Sequence, residues 1–170
     1  VKPEDMVSVC DSLREGHDIV LIDSPAGIEQ GFRYAVAPAD EILIITNPEV
    51  AAVRDADRII GLLEAEEQGP ARLIINRIKP DMVRRGEMLA VADVVELLAI
   101  DLIGIVPEDQ AILGAANRGQ PLAFSSDSST AGRAFHNIAR RLLGEDVPFV
   151  TLREPGMLER LFRLVRSEGD

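Results

Sequence analysis

Tryptophan is absent from the sequence, and Cys10, Tyr34 and the two lysines Lys2 and Lys79 are the only residues of their kinds. A lone cysteine excludes an internal disulfide and suits a reducing compartment. With two well-separated histidines, His17 and His136, it gives no metal-ligand spacing, so all three read as structural or surface residues. Positive charge is scarce. A net charge of −11 argues against a nucleic-acid partner, because a phosphate backbone needs a basic footprint. No apolar run approaches the roughly 18 residues of a membrane span, and no signal-peptide pattern opens the chain. The loop G-x-x-x-x-G-K-[ST], whose lysine and backbone amides cradle phosphates, is also missing: neither lysine follows a glycine. Taken alone, the sequence cannot hold a triphosphate in that way.

The composition is that of an ordinary soluble chain: 170 residues, 46% hydrophobic and 28% charged, enough for one domain with a full core. It begins Val1-Lys2-Pro3 without a methionine, and its first twenty residues read as a helix tail entering an inner strand. A fragment would begin in that way. The run Ile19-Val20-Leu21-Ile22 is apolar on both faces and predicts a buried strand ending on Asp23. Ser24-Pro25-Ala26-Gly27 then turns the chain, since proline fixes φ and glycine permits almost any value. Further apolar strands are expected over 41–46, 73–77 and 102–106, with an edge strand over 122–124. Helices are expected over 4–15, 29–37, 50–67 and 91–98, with a helical turn after residue 110 and a last domain helix after the loop 125–130.

Alternation of strands with helices predicts an α/β fold: a mostly parallel sheet with helices on both faces. In such a sheet the strand ends Asp23-Ser24, Thr46-Asn47, Asn76-Arg77 and Glu108-Asp109 share one edge, where a ligand crevice forms. Residues 157–166 make a short amphipathic helix. Met157, Leu158, Leu161, Phe162, Leu164 and Val165 occupy an arc of about 160°, and Glu159, Arg160, Arg163 and Arg166 fill the other side. Composition leaves two readings open: a terminal helix docked on the body, or a helix lying in a membrane interface.

The stretches 23–31 (Asp-Ser-Pro-Ala-Gly-Ile-Glu-Gln-Gly), 46–59, 75–77 (Ile-Asn-Arg), 85–89, 103–109 (Ile-Gly-Ile-Val-Pro-Glu-Asp) and 117–121 (Asn-Arg-Gly-Gln-Pro) together resemble the MinD family. These are septum site-determining, P-loop NTPase-like enzymes of the deviant Walker-A group, alongside ParA-type partition proteins. The departure is the family's N-terminal part with its P-loop. The resemblance implies that residues 1–150 are the C-terminal part of such an ATPase domain, 151–156 a linker and 157–170 a membrane-targeting tail.

It further implies ATP and Mg²⁺ as cofactors. Asp23 would be the switch aspartate beside a metal-bound water, and Gly27 would bring its backbone to the γ-phosphate. Asn76, Arg77 and Pro107 would frame adenine. Glu49 would lie near the dimer interface, with Arg54, Asp55, Asp57 and Arg58 facing a MinC-type inhibitor and a MinE-type regulator; without the resemblance those charges read as a solvated helix face. ATP would bring two subunits together on the inner face of the cell membrane, doubling a weak anchor of anionic-surface-binding helices. A ParA-like or flagellar-number regulator is the nearest alternative, and a non-catalytic adaptor that binds no nucleotide is another. In related ATPases the P-loop strand is central, so its absence is expected to leave apolar strand edges uncovered.

Overall fold

The computed structural model describes residues 2–25, 27, 30–124 and 129–152. The tail over 157–166 and most of the loop 125–130 lie outside them. The elements are α1 (Pro3–Arg14), α2 (Gln30–Val36), β1 (Ile42–Thr46), α3 (Val50–Ala65), β2 (Ala71–Ile78), α4 (Pro80–Arg84), α5 (Val91–Leu98), β3 (Asp101–Pro107), α6 (Gln110–Asn117), the 3-10 turn η1 (Leu122–Phe124) and α7 (Thr130–Leu142). Among the described residues the sheet runs β1-β2-β3. β1 and β2 are parallel, with Ile42 opposite Ala71 and Thr46 opposite Ile75. The fold is the parallel α/β sheet with flanking helices that the strand–helix alternation predicts.

β2 is the strand on which the others are laid. Leu73, Ile74 and Ile75 are all buried although successive side chains point to opposite faces, so both faces are covered. β1 differs. Ile44 and Thr46 are buried, but Ile45 is 62% exposed, so the second face that its sequence predicts to be covered is open among the described residues.

The chain forms two compact units: residues 1–75 with 90–103, and residues 76–89 with 104–170. In the first, α3 packs on β1 and α5 through Val53, Ala56, Ile60 and Leu63, and α1 packs on α2. Arg14 ties the end of α1 to the turn after α2, donating to the Pro38 carbonyl (3.0 Å) and to Asp40 (2.8 Å). Arg72 of β2 pairs with Glu41 at the start of β1. In the second unit, α7 packs on η1, burying Ala131, Gly132, Ala134 and Ile138.

Three expectations need correction. The run 19–23 forms no strand: Ile19 is 60% and Leu21 82% exposed. A strand's backbone groups need a neighbouring strand to bond with, and hydrophobicity alone supplies none. Residues 122–124 are a 3-10 turn rather than an edge strand, beginning directly after Pro121, which offers no amide to a ladder. In α1, where the sequence puts Met6, Val7, Val9, Cys10 and Leu13 on roughly one face, only Cys10 is buried, while Val9 stays 52% exposed.

The contrast between β2 and the 19–23 run is measurable. Leu73→Ala should cost about 2–5 kcal/mol in urea unfolding. Leu21→Ser should change stability by less than about 0.5 kcal/mol while reducing aggregation measured by light scattering.

Candidate functional site

In the first unit the described residues of the stretch Asp23-Ser24-Pro25-x-Gly27 show a bend at Gly27. Gly27 has φ +98°, a conformation that a Cβ disfavours. Gly31, at the start of α2, lies against Pro25: a Cβ there would come within 2.6 Å of the proline Cγ. The Pro25 ring therefore approaches Gly31 too closely for a side chain to fit there. Asp23 is exposed, and it stands at the end of no strand. Among the described residues no three His, Cys, Asp or Glu side chains gather as a metal cage. Magnesium keeps several waters and commonly takes only one or two carboxylates, so an accessible Asp23 suits a contact through a metal-bound water.

The second unit brings Asn76, Arg77 and Pro107 into one body. Arg77 sits within β2 at φ +56°, unusual for a non-glycine residue and costly by about 1–3 kcal/mol. Strain of this kind concentrates at functional sites. The backbone of the two strand ends is joined by the Glu108 amide donating to the Ile78 carbonyl at 3.0 Å. The Glu108 carboxylate then takes Arg77 on one oxygen (3.3 Å) and Lys79 on the other (2.5 Å). Asn76 is half-buried beside this cluster in sequence. Glu108 was expected among the polar strand ends, but its bridging role was not, and Lys79 was not assigned to the site; the signal for them is a carboxylate just past one strand end and two cations flanking the end of another.

Asp109, next in line, joins two helix starts. Its Oδ1 accepts from the Ala111 amide (2.9 Å) as the cap of α6, and its Oδ2 accepts from the Ser129 hydroxyl (2.5 Å). Ser129 in turn caps α7 by accepting from the Gly132 amide (3.4 Å). These bonds satisfy amide groups that the first turn of a helix otherwise leaves unpaired.

On α3, Arg54, Asp55, Asp57 and Arg58 are all exposed, and Arg58 pairs loosely with Asp55 at 3.7 Å. Such a pair contributes little stability. Glu49 occupies the cap position of α3, exposed and making no side-chain cap bond. Beyond α4, Arg85 donates to Glu87 (2.8 Å) and Asp81 (3.3 Å). The hydrogen bond from Arg85 holds the Glu87 carboxyl below its ordinary value of 4.5 and raises the guanidinium's own pKa.

A parallel α/β sheet with polar side chains at its strand ends is the open α/β type whose ligands bind beyond those ends, and the solved structures that it matches have the P-loop NTPase fold. No family model matches the chain. It is 53% identical over 150 residues to the septum site-determining protein MinD of Synechocystis sp., covering 88% of this chain and 56% of that protein. Among solved structures, MinD of Aquifex aeolicus superposes with TM-score 0.83 at 44% identity, covering 88% of this chain and 64% of that one. The MinC:MinD complex from the same organism matches with TM-score 0.83 at 43% identity, covering 92% and 64%. The chain belongs to the MinD family, and it spans between about half and two thirds of the length of these relatives.

Two measurements check the local chemistry. Asp109→Ala should lower stability by about 1–2 kcal/mol in thermal unfolding, and Asp109→Asn, which keeps a capping oxygen, by less. A carboxylate whose pKa is lowered on folding stabilises above its unfolded value and ceases to do so as pH falls through the folded one. Protection of the amides around 85–89, taken as the ratio of intrinsic to observed exchange, should therefore fall as pH drops below about 4.5, and Glu87→Gln should abolish that loss of protection.

Proposed function

We propose that this chain acts in division-site placement as the part of a MinD-type ATPase that carries the adenine side, the switch turn, the partner helix and the membrane tail. The observation that carries the reading is the match to MinD proteins along nearly the whole chain. Asn76, Arg77 and Pro107 hold adenine in this reading. The Glu108 carboxylate, gripping Arg77 and Lys79, keeps the strand end rigid enough to orient the base. The Gly27 backbone approaches the terminal phosphate, where a side chain would obstruct. Asp23 orients a water of the Mg²⁺ shell. ATP with Mg²⁺ supplies the cleavable phosphoryl bond and the charge neutralisation when bound. The phosphate-cradling lysine is not among this chain's residues, so hydrolysis by this chain alone is not part of the proposal.

Binding of nucleotide promotes a homodimer around Glu49 and α3. The exposed Arg54, Asp55, Asp57 and Arg58 then meet a MinC-type inhibitor and a MinE-type regulator; the Aquifex complex contains MinC and MinD and supports the first of these. Pairing also doubles the tail anchors. Two helices, each weak alone, hold the protein on the inner face of the cell membrane through their apolar arc and the arginines 160, 163 and 166. No described helix is long and apolar enough to cross a membrane. A second reading, favoured by the missing G-x-x-x-x-G-K-[ST] loop, is an adaptor that keeps the partner helix and tail but binds no nucleotide.

Equilibrium binding of labelled ATP with Mg²⁺ separates the two. Measurable binding, weakened about tenfold by Asn76→Ala (about 1.4 kcal/mol), is the expected result; no binding at any concentration favours the adaptor. Arg77→Gly should relieve backbone strain and leave thermal stability equal or higher while weakening nucleotide binding. Sedimentation with anionic liposomes should pellet the whole chain and not one ending at residue 152; equal pelleting would remove the membrane role.

A further inference from the structure

Glu108 meets three successive residues at the end of β2. Its amide donates to the Ile78 carbonyl at 3.0 Å, and its carboxylate takes Arg77 on Oε1 (3.3 Å) and Lys79 on Oε2 (2.5 Å). Arg77 needs such a partner. By the period of two that a strand imposes, it belongs to the face of Leu73 and Ile75, neither of which has any exposure. A guanidinium carried to that face would lose its water, a cost that one ion pair seldom offsets. Arg77 leaves the pleat instead, at φ +56°, and its side chain is 61% exposed. An exposed arginine has many rotamers open to it and no direction of its own. Glu108 supplies the direction.

Lys79 decides how Glu108 is shared. Its backbone is fixed, for it stands at the cap position of α4, and its carbonyl accepts from the Val83 amide at 3.1 Å. Its amide donates to Met88 Sδ at 3.3 Å, and Pro80 follows with a set φ. From this base the ammonium reaches back to the carboxylate, and its contact is the shorter of the two. A carboxylate left alone with an arginine commonly takes it on both oxygens at once. With Lys79 on Oε2, Arg77 meets Oε1 through Nη2 alone, and Glu108 leaves its other donors unused.

We propose that Lys79 is a positioning residue of this strand end: by occupying one Glu108 oxygen it limits Arg77 to a single bond and leaves the rest of the guanidinium for a ligand. Lys79 acts only through Glu108 and Arg77 and has no contact of its own with the ligand. The sharing of Glu108 stands apart from any nucleotide. Its effect on binding rests on the reading of Asn76, Arg77 and Pro107 as the adenine side.

Two measurements on the whole chain take these halves separately. The first uses no nucleotide and follows protection of the Glu108 amide, the ratio of intrinsic to observed hydrogen exchange. It should fall about threefold to fivefold in Lys79→Met, as loss of a partly exposed ion pair allows, and recover in Lys79→Arg. Asp81→Asn, which alters a charge that pairs with Arg85 in the same loop, should leave it within about twofold of wild type. Methionine keeps the apolar stem of the lysine, whose side chain is 40% exposed, so the substitution does not threaten folding. Unchanged protection in Lys79→Met, or an equal loss in Lys79→Arg, would overturn the proposal.

The second measurement is equilibrium binding of labelled ATP with Mg²⁺. Lys79→Met should weaken it about fivefold in the otherwise wild-type chain and less than about twofold in a Glu108→Gln background, where a residue acting through Glu108 has nothing left to act on. Equal losses in both backgrounds would mean that Lys79 meets the nucleotide itself and would overturn the proposal. So would wild-type binding that Lys79→Met leaves unchanged, whatever the exchange shows. A wild-type chain that binds no ATP but shows the expected exchange pattern removes the adenine reading, and the sharing of Glu108 stands.

Discussion

The parallel pairing of β1 with β2 is the constraint from which the rest of the molecule follows. It runs from Ile42 opposite Ala71 to Thr46 opposite Ile75, and it places Leu73 and Ile75 where neither has any exposure. A parallel pair can be joined only by a crossover, and α3 supplies it, packing back on β1 and α5. Because register in a sheet is set by which face is buried, a slip of one residue along β2 would exchange Leu73 and Ile75 for Arg72 and Ile74. The ion pair of Arg72 with Glu41 marks the same register at the edge of the pair. The loops that carry chemistry leave from a framework fixed in this way.

Backbone strain and paired charge gather where that framework ends. Arg77 departs from strand geometry, and Glu108 gathers it together with Lys79, so two cations and a carboxylate form a compact charged floor at the ends of β2 and β3. These pairs are partly exposed and add little to stability. Their value lies in direction: they hold a strained residue in place. Next to them Asp109 couples the starts of α6 and α7 through Ser129, so a single carboxylate serves two helices.

Membership of the MinD family makes the exposed run 19–23 intelligible. Its residues are those of an inner strand, yet Ile19 and Leu21 face solvent, and Ile45 of β1 does the same. The sequence carries the hydrophobic code for burial at these positions without a covering element among the described residues. Edge exposure of this kind invites association, which is why the apolar run is a liability as well as a sign of ancestry.

Hydrophobic periodicity alone was enough to place α3, β2, α5 and β3 within a few residues, because each pattern is long and each face is truly buried. It also located Gly27, since only glycine suits a turn at φ +98°. The strand tips Asn76-Arg77 and Glu108-Asp109 were legible as polar punctuation after apolar runs. Periodicity failed where burial depends on a neighbour. The 19–23 run needed a ladder partner, residues 122–124 needed amides that Pro121 cannot offer, and Val9 of α1 needed a surface to press against. The bridging of Arg77 and Lys79 by Glu108 and the sharing of Asp109 by two helices were beyond any sequence pattern. They join residues about 20 to 30 positions apart, brought together by hydrogen bonding and packing of the folded chain rather than by local preference.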